Sequence, residues 1–409
     1  MKIRLIATAS LLLVCLLGGS CAFTRDFDAH LSSIVKSYRF SIVKWESRAI
    51  PHEANQWIFG SYEKIDDEVH VVTEYFSTIE RIKTLESEIE IINAGNEQGD
   101  LASLEAELNM LQEQKMALKD TVERIIEKQI KKTLAQQDIF NPMDRYVRLK
   151  VNFPPLNFKL EKPPNLLVIS PRDRIEGIRW ITLQPSISLE EIKDIETEVD
   201  KLGVSSLVVE LGGLGATYPS FVTDEASLRF IIDTATEEWL HQYLVFKPLG
   251  FLYLLDSIGV SRNYEIVIMN ETLTSMVSKE IGTLVIENYY PQFEKGDNQT
   301  QIAGSQFNFN REMRDIRRAV DKYLAQGEIE QAEEFMEQKR QYLASKGYYI
   351  RKLNQAYFAF YGTYADSPTS ISPIGLELKK LKSQSTSLKD FLDKVAAMTS
   401  RQDLIESIK

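Results

Sequence analysis

The chain has few cysteines and few histidines, and this scarcity limits the chemistry it can carry. Its two cysteines, Cys15 and Cys21, both lie within the first 21 of 409 residues. A mature chain that begins at residue 21 forms no internal disulfide, so its stability must come from packing. We expect surface or capping roles for the three upstream histidines, which are His30, His52 and His70. His241 is then the one imidazole left for a site in the body of the chain.

The sequence also lacks a long apolar run near its start. Leu5–Leu17 follows Lys2 and Arg4 and is shorter than the ~20 residues of a transmembrane helix. Residues 1–20 are therefore predicted to be a signal peptide for export. Gly18–Ser20 stand directly before Cys21, which resembles a bacterial lipoprotein cleavage site. That resemblance predicts an acylated Cys21 and a lipid-anchored protein on the outer side of the bacterial cytoplasmic membrane or in the cell envelope. An ordinary cleaved signal and an uncleaved anchor are the alternatives.

Positive charge is in deficit, which argues against a nucleic-acid partner. The chain has 48 Lys and Arg against 59 Asp and Glu, a formal net charge of -11, whereas nucleic-acid binders usually carry a basic surface. Gly212–Pro219 is rich in glycine but lacks the spacing and the following lysine of a phosphate-binding loop. Nucleotide binding is therefore not expected, and the hydrophobic content of 44% is typical of a globular protein.

The first part of the chain is predicted to be helical. Residues 21–74 form an interrupted helical region with a break at Pro51, and residues 75–140 form a helical hairpin. The second arm of this hairpin has a three-four alternation of apolar residues that begins with Leu101, Leu104, Leu108 and Leu111. Gly95 and Gly99 lie between the arms, where they end one helix and allow the next to start. We expect the hairpin, ~40 to 50 Å long at 1.5 Å per residue, to be a spacer or support rather than a partner-binding coiled coil.

The rest of the chain is predicted to be an α/β lobe over residues 141–300 and a helical lobe over 301–409, an α+β fold overall. The predicted strands are Tyr146–Asn152, Leu156–Leu160, Leu166–Ser170 and Val204–Leu211, with a helix over Leu189–Leu202. The predicted helices of the last lobe are Phe309–Ala325, Ile329–Gly347 and Ile350–Phe360. The strand Leu207–Leu211, leading into Gly212 and Gly213, is a candidate edge for pairing with an extended substrate.

Two short segments suggest a metal site. In Thr236–His241, residues Glu237 and His241 are one helical turn apart and can reach one ion, with Glu238 beside them. In Met269–Thr272, a second helix that opens near Asn270 would supply Glu271 as a third ligand. Carboxylate oxygen and imidazole nitrogen both bind Zn²⁺.

This pattern resembles the gluzincin, or thermolysin-like, metallopeptidases and a group of bacterial envelope proteins with such a peptidase core. In gluzincins the first helix carries His-Glu-x-x-His and the second carries Asn-Glu-x-x-x-Asp. Glu238, His241, Asn270 and Glu271 match this pattern, and Glu237 and Ser275 depart from it. The resemblance implies a zincin-like core, a Zn²⁺ ion and hydrolysis of peptides or envelope proteins, with Glu238 as general base. It also implies that Asn270 and Ser275 lie next to the ligands.

The two departures leave the activity open. One histidine with two carboxylates is a harder and more anionic ligand set than zinc sites usually have, so Mn²⁺, or no metal, is an alternative to Zn²⁺. Ser275 stands where the family has an Asp that orients the first histidine, and Glu237 has no ring N–H to orient. The alternative to a peptidase is a non-catalytic descendant that serves binding or assembly in the envelope.

A peptidase also needs a hydrogen-bond donor for the oxyanion of its transition state. No histidine follows His241 in the chain. Tyr361 and Tyr364 are therefore the candidate donors, and membership of an ordinary aromatic core is the alternative for both.

Overall fold

The computed structural model describes residues 25–42, 45, 67–94, 100–143, 150–292, 307–365, 367 and 369–409. The signal peptide, Cys21, Pro51, the turn with Gly95 and Gly99, and most of the predicted strand Tyr146–Asn152 lie outside these residues. Within them the chain is a mixed α+β structure with thirteen helices and two small sheets. No helix in this part is both long enough and apolar enough to cross a bilayer.

The helices occupy most of the described chain. The first four are α1 (Arg25–Val35), α2 (Glu68–Asn93), α3 (Leu101–Gln136) and α4 (Leu189–Asp200). The next three, which carry the candidate site, are α5 (Leu228–Leu244), α6 (Pro248–Ser257) and α7 (Tyr264–Tyr289). The last six are α8 (Phe309–Ala325), α9 (Ile329–Ser345), α10 (Gln355–Tyr361), α11 (Ile374–Ser383), α12 (Leu388–Ala396) and α13 (Arg401–Ser407).

Six strands form two three-stranded sheets. They are β1 (Phe158–Leu160), β2 (Asn165–Pro171), β3 (Arg179–Leu183), β4 (Val204–Glu210), β5 (Gly213–Leu214) and β6 (Ser220–Val222). The first sheet has the antiparallel order β3-β2-β4. The second has the order β1-β6-β5, in which β1 is parallel and β5 antiparallel to β6. The chain passes between the two sheets twice, from β1 to β2 and from β4 to β5.

The predicted hairpin is present as two long helices. The second arm is continuous from Leu101 to Gln136, as the apolar spacing predicted. Arg81 on α2 contacts Glu107 on α3, while Glu74, earlier on α2, accepts from Gln114, later on α3. The two helices are therefore antiparallel. The half of α3 after Thr121 is largely buried against the body, whereas no described residue from 86 to 113 is buried.

The main hydrophobic core lies around α5 and α7, which pack along each other. Leu240 on α5 and Leu273 on α7 are fully buried, and burial of such a side chain stabilises the fold by about 1.5 to 3 kcal/mol. Trp239 is also buried, and its indole N–H donates to the carbonyl of Pro154 at 2.8 Å. Because this packing fixes both helices, it also fixes the side chains that they carry toward each other.

Two predicted helices and two predicted strands differ from the structure. The helix predicted to open near Asn270 begins earlier, at Tyr264, because Asn263 caps it. The helix predicted over Ile350–Phe360 begins only at Gln355, because the side chain of Asn354 caps it by accepting from the N–H of Tyr357 at 2.9 Å. Residues 150–152 are not strand, and β1 begins two residues later than predicted. Strands β3, β5 and β6 were not predicted from the sequence.

Candidate metal centre

The side chains of the candidate site come from two packed helices. α5 is capped by Ser227, which accepts from the N–H of Phe230, and it carries Glu237, Glu238 and His241 in its last two turns. The cap of α7 is Asn263, which accepts from the N–H of Ile266 at 3.2 Å. Buried residues on α7 then include Asn270, Glu271 and Thr274. Glu237 and His241 on α5 therefore face Asn270 and Glu271 on α7.

Glu237, His241 and Glu271 form one cluster that could hold a metal ion. One ligand atom from each of the three lies within 4.8 Å of the others. His241 Nε2 and Glu271 Oε2 are 3.7 Å apart, and their side chains are 16% and 11% exposed. Two carboxylate oxygens and one imidazole nitrogen suit a divalent ion such as Zn²⁺ or Mn²⁺. The structure therefore brings the three predicted ligands together in a group that could hold a metal ion, and it does not select the ion.

His241 is oriented by a hydrogen bond and by a ring contact. Its Nδ1 lies 3.0 Å from Asn270 Oδ1. An amide oxygen only accepts, so this partner assigns the ring hydrogen to Nδ1 and leaves the lone pair of Nε2 directed toward Glu271. The ring of Tyr253 on α6 stacks on the imidazole, with centroids 5.5 Å apart and planes 20° apart. The predicted placement of Asn270 beside a ligand is thus present in the structure.

Glu238 lies beside the cluster and against two glycines of the segment that includes β5. A Cβ at Gly213 would lie 2.5 Å from Glu238 Oε1, and one at Gly215 would lie 2.7 Å from Oε2. Burial raises the pKa of Glu238 to about 7, and the charge of Glu271 contributes to the rise, while His241 and the N–H of Gly215 oppose it. A general base transfers protons best when its pKa is near the working pH. A side chain at residue 213 or 215 would displace the Glu238 carboxylate, so its present position requires glycine at both residues.

The structure separates the two candidate oxyanion donors. Burial raises the pKa of Tyr364 well above its ordinary value, and the negative charges of Glu271, Glu237 and Glu238 raise it further. The N–H of the next residue, Ala365, donates to Thr272 Oγ1 on α7 at 2.9 Å and fixes this loop to the site helix.

Tyr361, by contrast, is at the end of α10. Its ring is 4.5 Å from that of Tyr357 and 4.9 Å from that of Phe360. Burial raises the pKa of Tyr361, and Glu210 raises it further, while Arg351 lowers it. Neither neighbour is a residue of the ligand cluster. Tyr361 therefore belongs to a separate aromatic group, and of the two tyrosines it is Tyr364 that the fold brings to the site.

Ser275 lies on α7, one turn after Glu271, and it is 3% exposed. Its carbonyl accepts from Ser278 Oγ at 3.1 Å within the same helix. Its side chain is small and neutral, so this buried position on α7 carries no charge.

The sheet edge nearest to the site is β5. The candidate edge Leu207–Leu211 falls mostly on β4, an outer strand of the other sheet, whereas the strand that lies against Glu238 is β5, which includes Gly213. β5 pairs with β6 on one side and is the outer strand of its sheet. The glycine-rich segment Gly212–Pro219, which lacks the pattern of a phosphate-binding loop, therefore borders the site through Gly213 and Gly215.

Sequence reasoning missed three further contributors to the site: Tyr253, Thr274 and the glycine pair at 213 and 215. Tyr253 OH donates to Glu271 Oε1 at 2.6 Å. Burial raises its pKa well above the ordinary value, and the negative charge of Glu271 adds to this effect. Thr274 Oγ1 is 3.4 Å from His241 Nε2. No local spacing identifies Tyr253, because its position depends on the packing of α6 against α7.

Comparisons with known proteins add no relative. No protein-family model, no curated protein and no solved structure matches this chain. Any inference about function therefore rests on the residues of the site and on their geometry.

Proposed function

We propose that this protein is a metal-dependent peptidase with a zincin-like core, in which Glu237, His241 and Glu271 hold one divalent ion. Glu238 is its general base. The observation that carries the proposal is the placement of an enclosed carboxylate beside a cluster of three ligand side chains, with α5 supplying the base and two of the ligands.

The residues divide the work of hydrolysis among them. A bound Zn²⁺ or Mn²⁺ would act as a Lewis acid that polarises water and the substrate carbonyl. Glu238 accepts the proton of the attacking water and delivers it to the leaving amine. Tyr364 supplies the hydrogen bond that stabilises the oxyanion.

The outer edge of β5 supports an extended peptide as the substrate. An extended chain can add to an outer strand through backbone hydrogen bonds, which require no particular side chain. Gly213 and Gly215 lie on or next to this strand and in contact with Glu238. A peptide paired there would bring its backbone carbonyls near the base and the ligand cluster. The substrate class is therefore a peptide or an unfolded segment of an envelope protein.

The test is the hydrolysis of a mixed peptide library by untagged protein loaded with Zn²⁺ or Mn²⁺, with cleavage products identified by mass spectrometry. Glu238→Gln is expected to lower the rate by about 10² to 10⁴-fold while keeping the metal, since it removes the base and leaves the ligands. Glu225→Gln is the matched control, because Glu225 is exposed in the loop before α5. Equal rates for wild type and Glu238→Gln would contradict the assignment of the base.

A second function is favoured by one observation, the glutamate at the first ligand position. If the wild-type protein binds a metal but cleaves no peptide, the site serves binding or assembly in the envelope, as a non-catalytic descendant of a peptidase would. Residues 86–94 and 100–113 of the hairpin, none of which is buried, would then offer a surface to a partner.

A further inference from the structure

Tyr253 contacts two of the three candidate ligands at once. It lies on α6, and its hydroxyl donates to Glu271 Oε1 at 2.6 Å. Its ring stacks on the imidazole of His241. A hydrogen bond this short to a carboxylate is strong, and two simultaneous contacts fix both the tyrosine and its partners.

We infer that Tyr253 is a positioning residue that holds Glu271 as a one-oxygen ligand of the metal, an inference that rests on the proposed metal site. The hydroxyl occupies Oε1. The other oxygen, Oε2, is the atom that lies 3.7 Å from His241 Nε2 and therefore faces the cluster. Tyr253 thus determines which oxygen of Glu271 is available to the ion. Asn270, which contacts Nδ1 of His241, leaves Nε2 as the available nitrogen of that ring.

The same contact excludes Tyr253 from a second role. A phenol has one hydrogen to donate, and Glu271 accepts it. Tyr253 therefore has no hydrogen left for a substrate oxyanion, and Tyr364 keeps that function. The hydrogen bond from Tyr253 also restricts rotation of the Glu271 carboxylate. A carboxylate that rotated freely could offer either oxygen to the ion.

Tyr253→Phe tests the inference, because it removes the hydroxyl and keeps the ring that stacks on His241. The dissociation constants of Zn²⁺ and Mn²⁺, measured by calorimetry on the metal-free protein, are expected to rise about 10 to 100-fold. The visible spectrum of the Co²⁺-loaded variant is expected to shift, because the geometry of Glu271 changes. The melting temperature of the metal-free variant shows whether the fold is intact.

The matched control is Tyr290→Phe. Tyr290 is also buried, and its hydroxyl donates to a side chain, Gln129 Oε1, at 2.8 Å. It stands 19 residues after Glu271, directly after the end of α7, which is roughly 28 Å along the axis at 1.5 Å per residue. This variant loses a buried hydrogen bond of the same kind and is expected to bind metal as the wild type does.

The outcomes separate this inference from the proposed function. If the wild type binds metal and Tyr253→Phe binds it equally well, the positioning role is wrong and the metal site stands. If the wild type binds no metal, both are wrong. A kcat that returns to the wild-type value at saturating metal supports positioning. A kcat that stays low at saturation would show that the hydroxyl acts on the substrate, which would overturn the inference.

Discussion

At the scale of single residues, the site combines three carboxylates with one imidazole. Ligand atoms of Glu237 and Glu271 lie within 4.8 Å of each other, and the charge of Glu271 raises the pKa of Glu238, so either a proton or an opposing charge would stabilise the site. A divalent ion held by two of these carboxylates and by His241 would supply that charge. The gluzincin pattern that the sequence resembles has a histidine and an orienting Asp where this chain has Glu237 and Ser275, and an Asp at residue 275 would have added a further negative charge.

The contact between Gly215 and Glu238 gives a prediction for one residue. In Gly215→Ala the new Cβ would lie 2.7 Å from Glu238 Oε2 and 2.8 Å from the Glu238 carbonyl, so the base must move. A displacement of about 1 Å in a catalytic group can lower the rate about 10²-fold. We expect this loss in kcat with metal affinity unchanged, measured on the same peptides as Glu238→Gln. Full activity in Gly215→Ala would show that the position of Glu238 is not critical.

At the scale of elements, the hairpin is fixed to the body through the edge of β1. Glu123 and Glu127 on α3 accept the backbone N–H groups of Leu160 and Phe158 at 2.8 and 3.2 Å. Glu123 also pairs with Lys159 at 2.8 Å and is 2% exposed. The carboxylates of α3 therefore occupy the strand edge that β6 leaves uncovered.

Glu123 makes the stability of this contact depend on pH. Burial raises its pKa from 4.5 to about 7, although Lys159 opposes the rise. The folded state then holds a proton that the unfolded state releases, so the free energy of unfolding falls as pH rises from 4.5 to 7. The contribution of Glu123 to the free energy of unfolding therefore falls by about 3 kcal/mol, at roughly 1.4 kcal/mol per pH unit.

Denaturant unfolding at pH 5 and pH 8 measures this effect. The decrease in unfolding free energy between the two pH values is expected to be about 3 kcal/mol smaller in Glu123→Gln than in the wild type. Glu105→Gln is the control, because Glu105 is exposed on the same helix. The same decrease in wild type and Glu123→Gln would contradict the raised pKa.

The elements also show how far the sequence predicts the structure. The continuous helix from Leu101 and the facing of Glu237 and His241 follow from helical periodicity, which the sequence contains in full. β5 and β6, by contrast, have two and three residues, too few for an alternating pattern. The contact of Tyr253 with Glu271 depends on how α6 packs on α7, which no local pattern encodes.

At the scale of the whole molecule, the described chain places the site where three parts meet. α5 and α7 supply the cluster, the strand β5 borders Glu238, and the loop after α10 brings Tyr364. The α+β composition predicted from the sequence is confirmed, and the zincin-like arrangement stays a proposal.

The location of the molecule is a separate prediction from the sequence. We expect the mature chain to begin at an acylated Cys21, because small residues precede this cysteine at the end of an apolar segment. Mass spectrometry of the native N-terminus tests this, and Cys21→Ser is expected to move the protein from the membrane fraction to the soluble fraction. A mature chain that starts after residue 21 would remove the anchor.

The most direct measurement of the central claim is the metal content of the purified protein, produced without a polyhistidine tag and determined by elemental analysis. The account predicts about one Zn²⁺ or Mn²⁺ per chain, because the described residues place Glu237, His241 and Glu271 around one position. His241→Ala is expected to lose that ion, and Glu225→Gln, which changes an exposed residue in the loop before α5, is expected to keep it. An absence of bound metal after loading, or the same metal content in His241→Ala, would contradict the account.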